Sequence, residues 1–533
     1  MISVNLKTIL IILFLPLIIV LVGVTAIYLG INIAKKPDYI TILHTNDIHG
    51  RLEPFVYRKQ QQLTGGLARR ASLIKYIESS NENVLTVDAG DFAQGTLFFN
   101  IFSGTPDINL MSLAGYDVAT LGNHEFDKGL QVTKNIVKQA KFPFVCANIR
   151  FTEDEELQSL VKPYIIRKQH GLKVAVIGLI TENLKILANN LKNVEIFDPI
   201  ETTRNIVKKI NSDVDLIIVL SHEGILADIK LAKSVPEIDV IIGGHSHTLL
   251  KQPKIFNIEG DKTLVLQGGE FGVHLGRLDI KVKNKEVQSY YYDLITVDNE
   301  IKKDSYIENE IKILSKEIKK YKNQEVGEIA FTIGGKEDRI RSSLLRAGSL
   351  ITEAIKYRFP TVDVVLQNSG GIRLYKHIPP GKMTLADVLD LYPFENKIVT
   401  LELKGSDLKS VLETSSRRFP EENGGFLQSS GLEYTLNSAN PPQFLSSDGL
   451  EIKKEGQRVT DIKVNGVSLN PDKYYKIAIN DYMFNGGNGF SQFKKANNII
   501  KTGISIQDSI VKYIKENSPV SVKIKDKINF VKQ

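Results

Sequence analysis

Five short segments place Asp, His and Asn where a metal-dependent reaction would need them. Asp47 and His49 stand two apart in HTNDIHG, and Asp91 closes DAGD. Asn123 and His124 lie in GNHEFD, His222 ends LIIVLSH, and His245 and His247 belong to GHSH. Two residues at i and i+2 of an extended segment share one face, so each close pair can serve one centre. Two divalent ions about 3.5–4 Å apart repel each other and need a bridging anion besides nitrogen ligands. Asp91 is the natural shared carboxylate. Such a pair acidifies a bound water and stabilises charge on a phosphoryl group. His124 precedes Asp127 by three residues, so the carboxylate can orient the imidazole. Singly, an Asp or His at a strand end is more often a cap or a solvated residue. Together they point to a dinuclear centre, since seven of the nine histidines precede residue 250. His44 alternates away from the site and suits core packing, His170 falls in a turn, and His274 and His377 lack such company. Cys146, in FPFVCANI, reads as a small core hydrophobe.

These residues mostly follow runs of β-formers: YITILHT, NVLTVDAG, DVATLG, KVAVIGLI, DLIIVLSH and DVIIGG. Buried strands alternating with polar and helical stretches predict an α/β domain, in which loops at the carboxyl ends of strands converge on one cleft. TLVLQGGEFGVHLGRLDIKV predicts two consecutive strands joined by a glycine turn. Residues 301–324 are charged and periodic, which predicts an amphipathic helix joining two domains; a peripheral helix of the first domain is the alternative. From residue 325 a new mixed pattern begins: a helix in LLRAGSLITEAIKYRF, a strand entering a glycine turn in TVDVVLQNSGGIR, and helix, loop and strand in TLADVLDLYPFENKIVTLEL. The expected divisions are 1–37, 38–298, 299–325 and 326–533.

At 533 residues, with 42% apolar and 24% charged residues, the chain can bury more than one sizeable core. Its single cysteine excludes an internal disulfide framework and a Cys₄ zinc site. The net charge of +7 is diffuse; it suits a small anionic substrate, and no helix-turn-helix or finger pattern suggests specific nucleic-acid binding. Thr8–Ala34 carries no Asp, Glu, Lys, Arg or His and is long enough to cross a hydrocarbon core of about 30 Å. A single uncleaved membrane anchor is expected, with the catalytic domains extracellular or periplasmic; cleavage as a signal peptide, giving a secreted protein, is the alternative.

TILHTNDIHG, DAGDFAQGT, LGNHEFDKG, LSHEG, GGHSH and NSGGIR resemble the bacterial and extracellular 5'-nucleotidase family, which includes periplasmic UDP-sugar hydrolases. The resemblance covers nearly all of the chain after residue 37. It implies a four-layer α/β/β/α calcineurin-like metallophosphatase domain, a linker helix and a mixed α/β substrate domain. It implies that Asp47, His49, Asp91 and His247 hold one divalent ion and Asp91, Asn123, His222 and His245 another, with Zn²⁺, Mn²⁺ or Co²⁺ as the expected metals. His124 and Asp127 correspond to the catalytic pair. His247 departs from a Gln found there in some members, and remains a competent ligand.

In NSGGIR the turn at Gly370 and Gly371, with Arg373, can receive phosphate, and Asn368 can hydrogen-bond a base. Arg341 resembles a further phosphate-binding residue, with Arg346 as its substitute. Phe394 and Tyr482 resemble a pair of aromatics that sandwich a nucleobase, Phe484 replacing Tyr482 if the register slips. Asn488 stands where the family has an Asp that bonds ribose, which leaves ribose preference open. The expected reaction is hydrolysis of nucleoside 5'-monophosphates to nucleoside and phosphate by a metal-bound water. UDP-sugar hydrolysis, or 2',3'-cyclic-nucleotide phosphodiesterase with 3'-nucleotidase action, is the alternative, and a membrane-held nucleotide-binding or adhesive module is the non-enzyme reading.

Overall fold

The computed structural model describes residues 38–57, 62–188, 191, 193–258, 260–334, 339–374, 377–446, 449 and 451–531. Two sheets form the first half. One runs in the order Glu286–Thr296, His274–Lys283, Asp38–Thr45, Val84–Asp88, Val118–Thr120, Phe144–Val145, Val161–Lys162. The other runs Lys254–Ile258, Asp261–Leu266, Val240–Gly243, Leu216–His222, Leu172–Ile180, Tyr164–Gln169. Side-chain alternation sorts the strands' apolar residues into layers. Ile40, Ile42, Leu85, Val174, Val176, Leu216 and Ile218 meet in a core shared by the two sheets. Leu43 faces helices Leu67–Ser80 and Thr105–Ala114 on one outer side. Ala175, Ile177, Ile217 and Val219 face Pro199–Ile210 and Ile225–Ser234 on the other. The result is four layers, α/β/β/α. Gly178 lets the sheets close on each other, because a Cβ there would stand 2.0 Å from the Val145 carbonyl oxygen.

The strands that precede the chemical residues are parallel within each sheet. Thr45 aligns with Asp88, Asp88 with Ala119, and Ser221 with Gly243. Their carboxyl ends therefore lie side by side, and the following loops share one edge of the double sheet. The two strands of TLVLQGGEFGVHLGRLDIKV, however, do not pair. Asp261–Leu266 joins the second sheet in parallel with Val240–Gly243, while His274–Lys283 pairs with Asp38–Thr45 in the first. The glycine-rich segment between them crosses from one sheet to the other, directly under the site.

Helix Ser305–Lys322 starts at Asp304, whose carboxylate accepts the Ile307 N–H at 2.9 Å. Its Ile307, Ile311 and Ile318 pack into the first-half core together with Ala386 of helix Leu385–Leu391, so it touches both halves. Beyond it, a five-stranded sheet runs Leu427–Ser430, Val364–Asn368, Tyr474–Asn480, Lys397–Lys404, Asn497–Ser505. Val365 faces helices Arg346–Arg358 and Ile506–Asn517 on one side; Val364 and Leu366 face helix Gly405–Ser416 on the other.

The anchor expected over residues 1–37 lies outside the described residues. Among the described residues no helix is long and apolar enough to cross a membrane. The longest of them, Ser305–Lys322, is studded with Lys and Glu, whereas a span needs about twenty consecutive apolar residues. The expectations of a transmembrane helix, of the membrane as a partner and of a cell-membrane location are corrected to that extent: the described residues supply no span.

Candidate metal centre and substrate cavity

Apart from His222, which ends strand Leu216–His222, the chemical residues do not lie in extended segments. Asp47, His49, Asp91, His245 and His247 all have left-handed backbone, with φ between 50° and 69°. That conformation costs a non-glycine residue on the order of 1 kcal/mol or more and clusters at functional sites. Here it turns side chains from adjacent loops toward one point. Two main-chain bonds pin the first pair of loops: Asp47 N–H donates to Gly90 O and His49 N–H to Asp91 O, each at 2.9 Å. Asp91 Oδ1 accepts the His124 N–H at 2.9 Å, and Asp47 Oδ1 accepts the His245 N–H at 3.0 Å.

Three overlapping groups of donor atoms result, each within 4.8 Å of one another: Asp47, His49 and His247; His49, Asp91 and His124; Asp91, His222 and His245. Asn123 Oδ1 lies 2.9 Å from His245 Nδ1. His49 Nε2 and His247 Nε2 are 3.1 Å apart, and His247 Nε2 is 3.4 Å from Asp47 Oδ1. His222 Nε2 stands 3.1 Å from Asp91 Oδ2, yet finds no aligned hydrogen-bond partner. Ligands about 2.0–2.1 Å from one tetrahedral ion are roughly 3.3 Å from each other, so these spacings fit donors that share ions. Two of the outer ring nitrogens are occupied as ligating imidazoles require. His222 Nδ1 meets the Ala89 carbonyl at 2.7 Å, and His247 Nδ1 meets Glu270 Oε2 at 2.5 Å.

Burial and neighbouring charges act against each other on these groups. Burial would raise the Asp91 pKa, but His222 and His124 outweigh it and hold the carboxyl well below its usual range. Burial disfavours charge on His222 and His124, and Asp91 reverses this on His222, lifting it to about 10. On His124 the reversal comes mainly from Asp127, with Asp91 adding to it, and the value rises to about 9. Asp127 Oδ2 sits 2.7 Å from His124 Nδ1, so Nε2 is the nitrogen left toward the cavity, 4.0 Å from Asp91 Oδ2. Although His124 joins one donor group, this anchoring leaves its Nε2 facing the cavity.

A cavity of about 230 Å³ opens over this cluster. Its first-half wall includes His49, Asp91, Asn123, His124, Asp127, His245 and His247; Asp47 and His222 are fully buried beneath. Its second-half wall brings Asn368, Gly370, Gly371, Arg373, Phe394, Tyr482 and Asn488 to the same space. The Arg373 guanidinium lies 4.8 Å from the Phe394 ring centroid, and Phe394 lies 5.9 Å from the His124 ring. Asn480 Nδ2 donates to Asn368 Oδ1 at 2.8 Å, and Asn368 Nδ2 to Asn488 Oδ1 at 3.1 Å. Asn488 has φ 58°, which Asn tolerates better than most residues. Arg341 is exposed and outside the cavity lining, as is Arg346; Phe484 packs on the second-half core beneath Lys501. His44 is buried against Tyr292 and Cys146 is buried.

Several contributors had no role assigned from the sequence. Glu125, fully buried inside GNHEFD, accepts the N–H groups of Asp91, Ala93 and Gly122 at 3.0, 3.0 and 2.6 Å and so ties two ligand loops together. Lys128 reaches across the cavity to Glu395 at 3.5 Å. Glu270 lies in the crossing segment, which a hairpin expectation would have placed away from the site. Lys128 and Glu125 flank motif residues, so proximity in sequence was an available signal for them; none existed for Glu270.

Residues 40–249 match the calcineurin-like phosphoesterase model and residues 325–495 the 5'-nucleotidase C-terminal domain. The chain is 31% identical to a snake venom 5'-nucleotidase of Naja atra, over 85% of this chain and 92% of that one. It is 30% identical to the trifunctional nucleotide phosphoesterase protein YfkN of Bacillus subtilis over 92% of its own length, and spans 35% of that longer protein. Among solved structures, a 5'-nucleotidase precursor from Thermus thermophilus superposes with a TM-score of 0.80 at 31% identity, covering 92% of this chain and 99% of that one.

Proposed function

The chain belongs to the 5'-nucleotidase family, and from that premise we propose that it hydrolyses nucleoside 5'-monophosphates to nucleoside and phosphate. The enzyme class follows from the family and from a donor cluster fit for two divalent ions. The division into 38–298, a linker at 299–325 and 326–533 is part of the same reading. Asp47, His49, Asp91 and His247 would hold one ion and Asp91, Asn123, His222 and His245 the other, with Zn²⁺, Mn²⁺ or Co²⁺ suited to mixed carboxylate and imidazole donors. When bound, the pair supplies Lewis acidity toward water and the phosphoryl oxygens.

The chain's own groups do the rest. His124, fixed through Nδ1 by Asp127, presents Nε2 to a phosphoryl or leaving oxygen and supplies a hydrogen bond or a proton there. Arg373 and the amides around Gly370 and Gly371 receive phosphate oxygens, Phe394 and Tyr482 stack the base, and Asn368 and Asn488 face ribose or base. Phe394 now rests near both Arg373 and His124, so stacking a base requires the second half to shift relative to the first. Arg341 reaches substrate only through a similar rearrangement.

The observation that carries this reading is one cavity walled by metal donors on one side and by Arg373, paired glycines and two aromatics on the other. The test is turnover of AMP, UMP, UDP-glucose, 2',3'-cyclic AMP and ATP by the purified chain, with Phe394→Ala beside wild type. AMP or UMP is expected to give the highest kcat/KM, and F394A to lose roughly 5- to 150-fold, mostly through KM, since stacking a base is worth about 1–3 kcal/mol. A higher kcat/KM for UDP-glucose or the cyclic nucleotide would reject the monophosphate assignment.

A further inference from the structure

We propose that Glu270, backed by Tyr57, is the positioning residue for His247 and thereby sets the affinity of only one of the two ion sites. The inference rests on the reading above that His247 is a ligand. His247, like His124 and His245, is one of the partly exposed histidines of the cluster. His49 and His222 are sealed in the protein at 4% and 0% exposure, whereas the His247 side chain is 32% exposed at the cavity wall. Packing alone therefore does not fix its ring. Its Nδ1 instead meets Glu270 Oε2 at 2.5 Å, while Glu270 Oε1 accepts the Tyr57 hydroxyl at 3.0 Å. Both carboxylate oxygens are engaged, and the Glu270 side chain is only 9% exposed.

The direction of that bond decides the chemistry. With the proton on Nδ1 and donated to Glu270, the lone pair of His247 lies on Nε2. That atom faces His49 Nε2 at 3.1 Å and Asp47 Oδ1 at 3.4 Å, the donors of the same ion. A carboxylate behind an imidazole also makes the opposite nitrogen more basic and a stronger ligand.

Glu270 is itself held to that half of the site. The neighbouring Phe271 N–H donates to Asp47 O at 2.6 Å, and Gly268 N–H to Asn46 Oδ1 at 2.8 Å. Asn46 Nδ2 in turn bonds Asp47 Oδ2 at 2.6 Å and Gly269 O at 2.7 Å. The segment crossing between the sheets thus clasps the Asp47 loop and carries the carboxylate for His247. The other ion's donors do not use it, because His222 is oriented by the Ala89 carbonyl and His245 lies beside Asn123. One ion site depends on Glu270 and the other does not.

The experiment is calorimetric titration of metal-stripped wild type, Glu270→Gln, Glu270→Ala and Tyr57→Phe with Zn²⁺ and with Mn²⁺, alongside thermal unfolding of each. Wild type is expected to take two ions per chain. E270A should weaken one of them by about 10- to 100-fold and leave the other within about twofold. E270Q, which keeps an acceptor without charge, should restore part of the loss, and Y57F should show a smaller loss at the same site. Unchanged affinity at both sites in folded E270A, or equal weakening of both, would overturn the proposal. Should E270A not fold, E270Q and Y57F decide instead, and unchanged or equally weakened affinities in them again overturn it. Failure of wild type to bind two ions would instead strike the proposed function.

Discussion

Asp91→Asn is expected to lower turnover by on the order of 10³-fold or more and to remove bound metal in the same step. The substitution keeps size and shape, which matters because Asp91 is packed tightly enough that a Cβ on Gly122 would stand 2.2 Å from its Oδ1. What it removes is charge. Asp91 belongs to two of the donor groups, with His49 in one and His222 and His245 in the other, and among the described residues it is the one carboxylate that two groups share. An amide bridges cations poorly, and several kcal/mol of Lewis-acid stabilisation goes with the ions, each 1.36 kcal/mol being tenfold in rate. Metal analysis and phosphate release on the same preparation check this. Wild-type turnover by a metal-free D91N protein would defeat the dinuclear reading.

His124→Gln should behave differently: kcat is expected to fall about 10²- to 10⁴-fold while metal content stays at the wild-type level. His124 Nδ1 is already committed to Asp127 at 2.7 Å, and its Nε2 is 4.0 Å from the nearest Asp91 oxygen. It adjoins the ions without being needed to hold them. Asp127→Asn should give a smaller loss, because the imidazole remains and only its orientation and charge support weaken. Loss of an ion from H124Q, measured by metal analysis, would make His124 a ligand and leave the reaction without its proposed proton donor.

The contrast between these two variants also marks what could be read from residues alone. GNHEFD stands out because Asn-His at a glycine-flanked strand end has few structural uses, GHSH and DIH gain weight only in combination with it, and the four layers are implied by the family resemblance rather than by strand periodicity. The backbone that assembles the donors was not legible. Asp47, His49, Asp91, His245 and His247 adopt left-handed φ, against the preference of each residue, because the tertiary structure holds them there. Nor was the path of residues 267–273. Glycines between two β-runs favour a hairpin locally, and only the competition between two sheets for Asp261–Leu266 and His274–Lys283 sends the segment across the site. Glu270 was missed for that reason. Arg341 shows a different gap: its motif neighbourhood suggests phosphate, while in this arrangement its side chain is exposed outside the cavity lining.

The central claim is that nucleotide hydrolysis depends on two ions held by the first half of the chain. The most direct measurement adds Mn²⁺ stepwise to metal-stripped wild-type protein while ions bound per chain and phosphate release from AMP are followed together. The account predicts negligible release without metal, saturation at two ions per chain, and full activity only as the second site fills. Full AMP hydrolysis in the stripped protein, or activity that saturates with one ion bound, would contradict it.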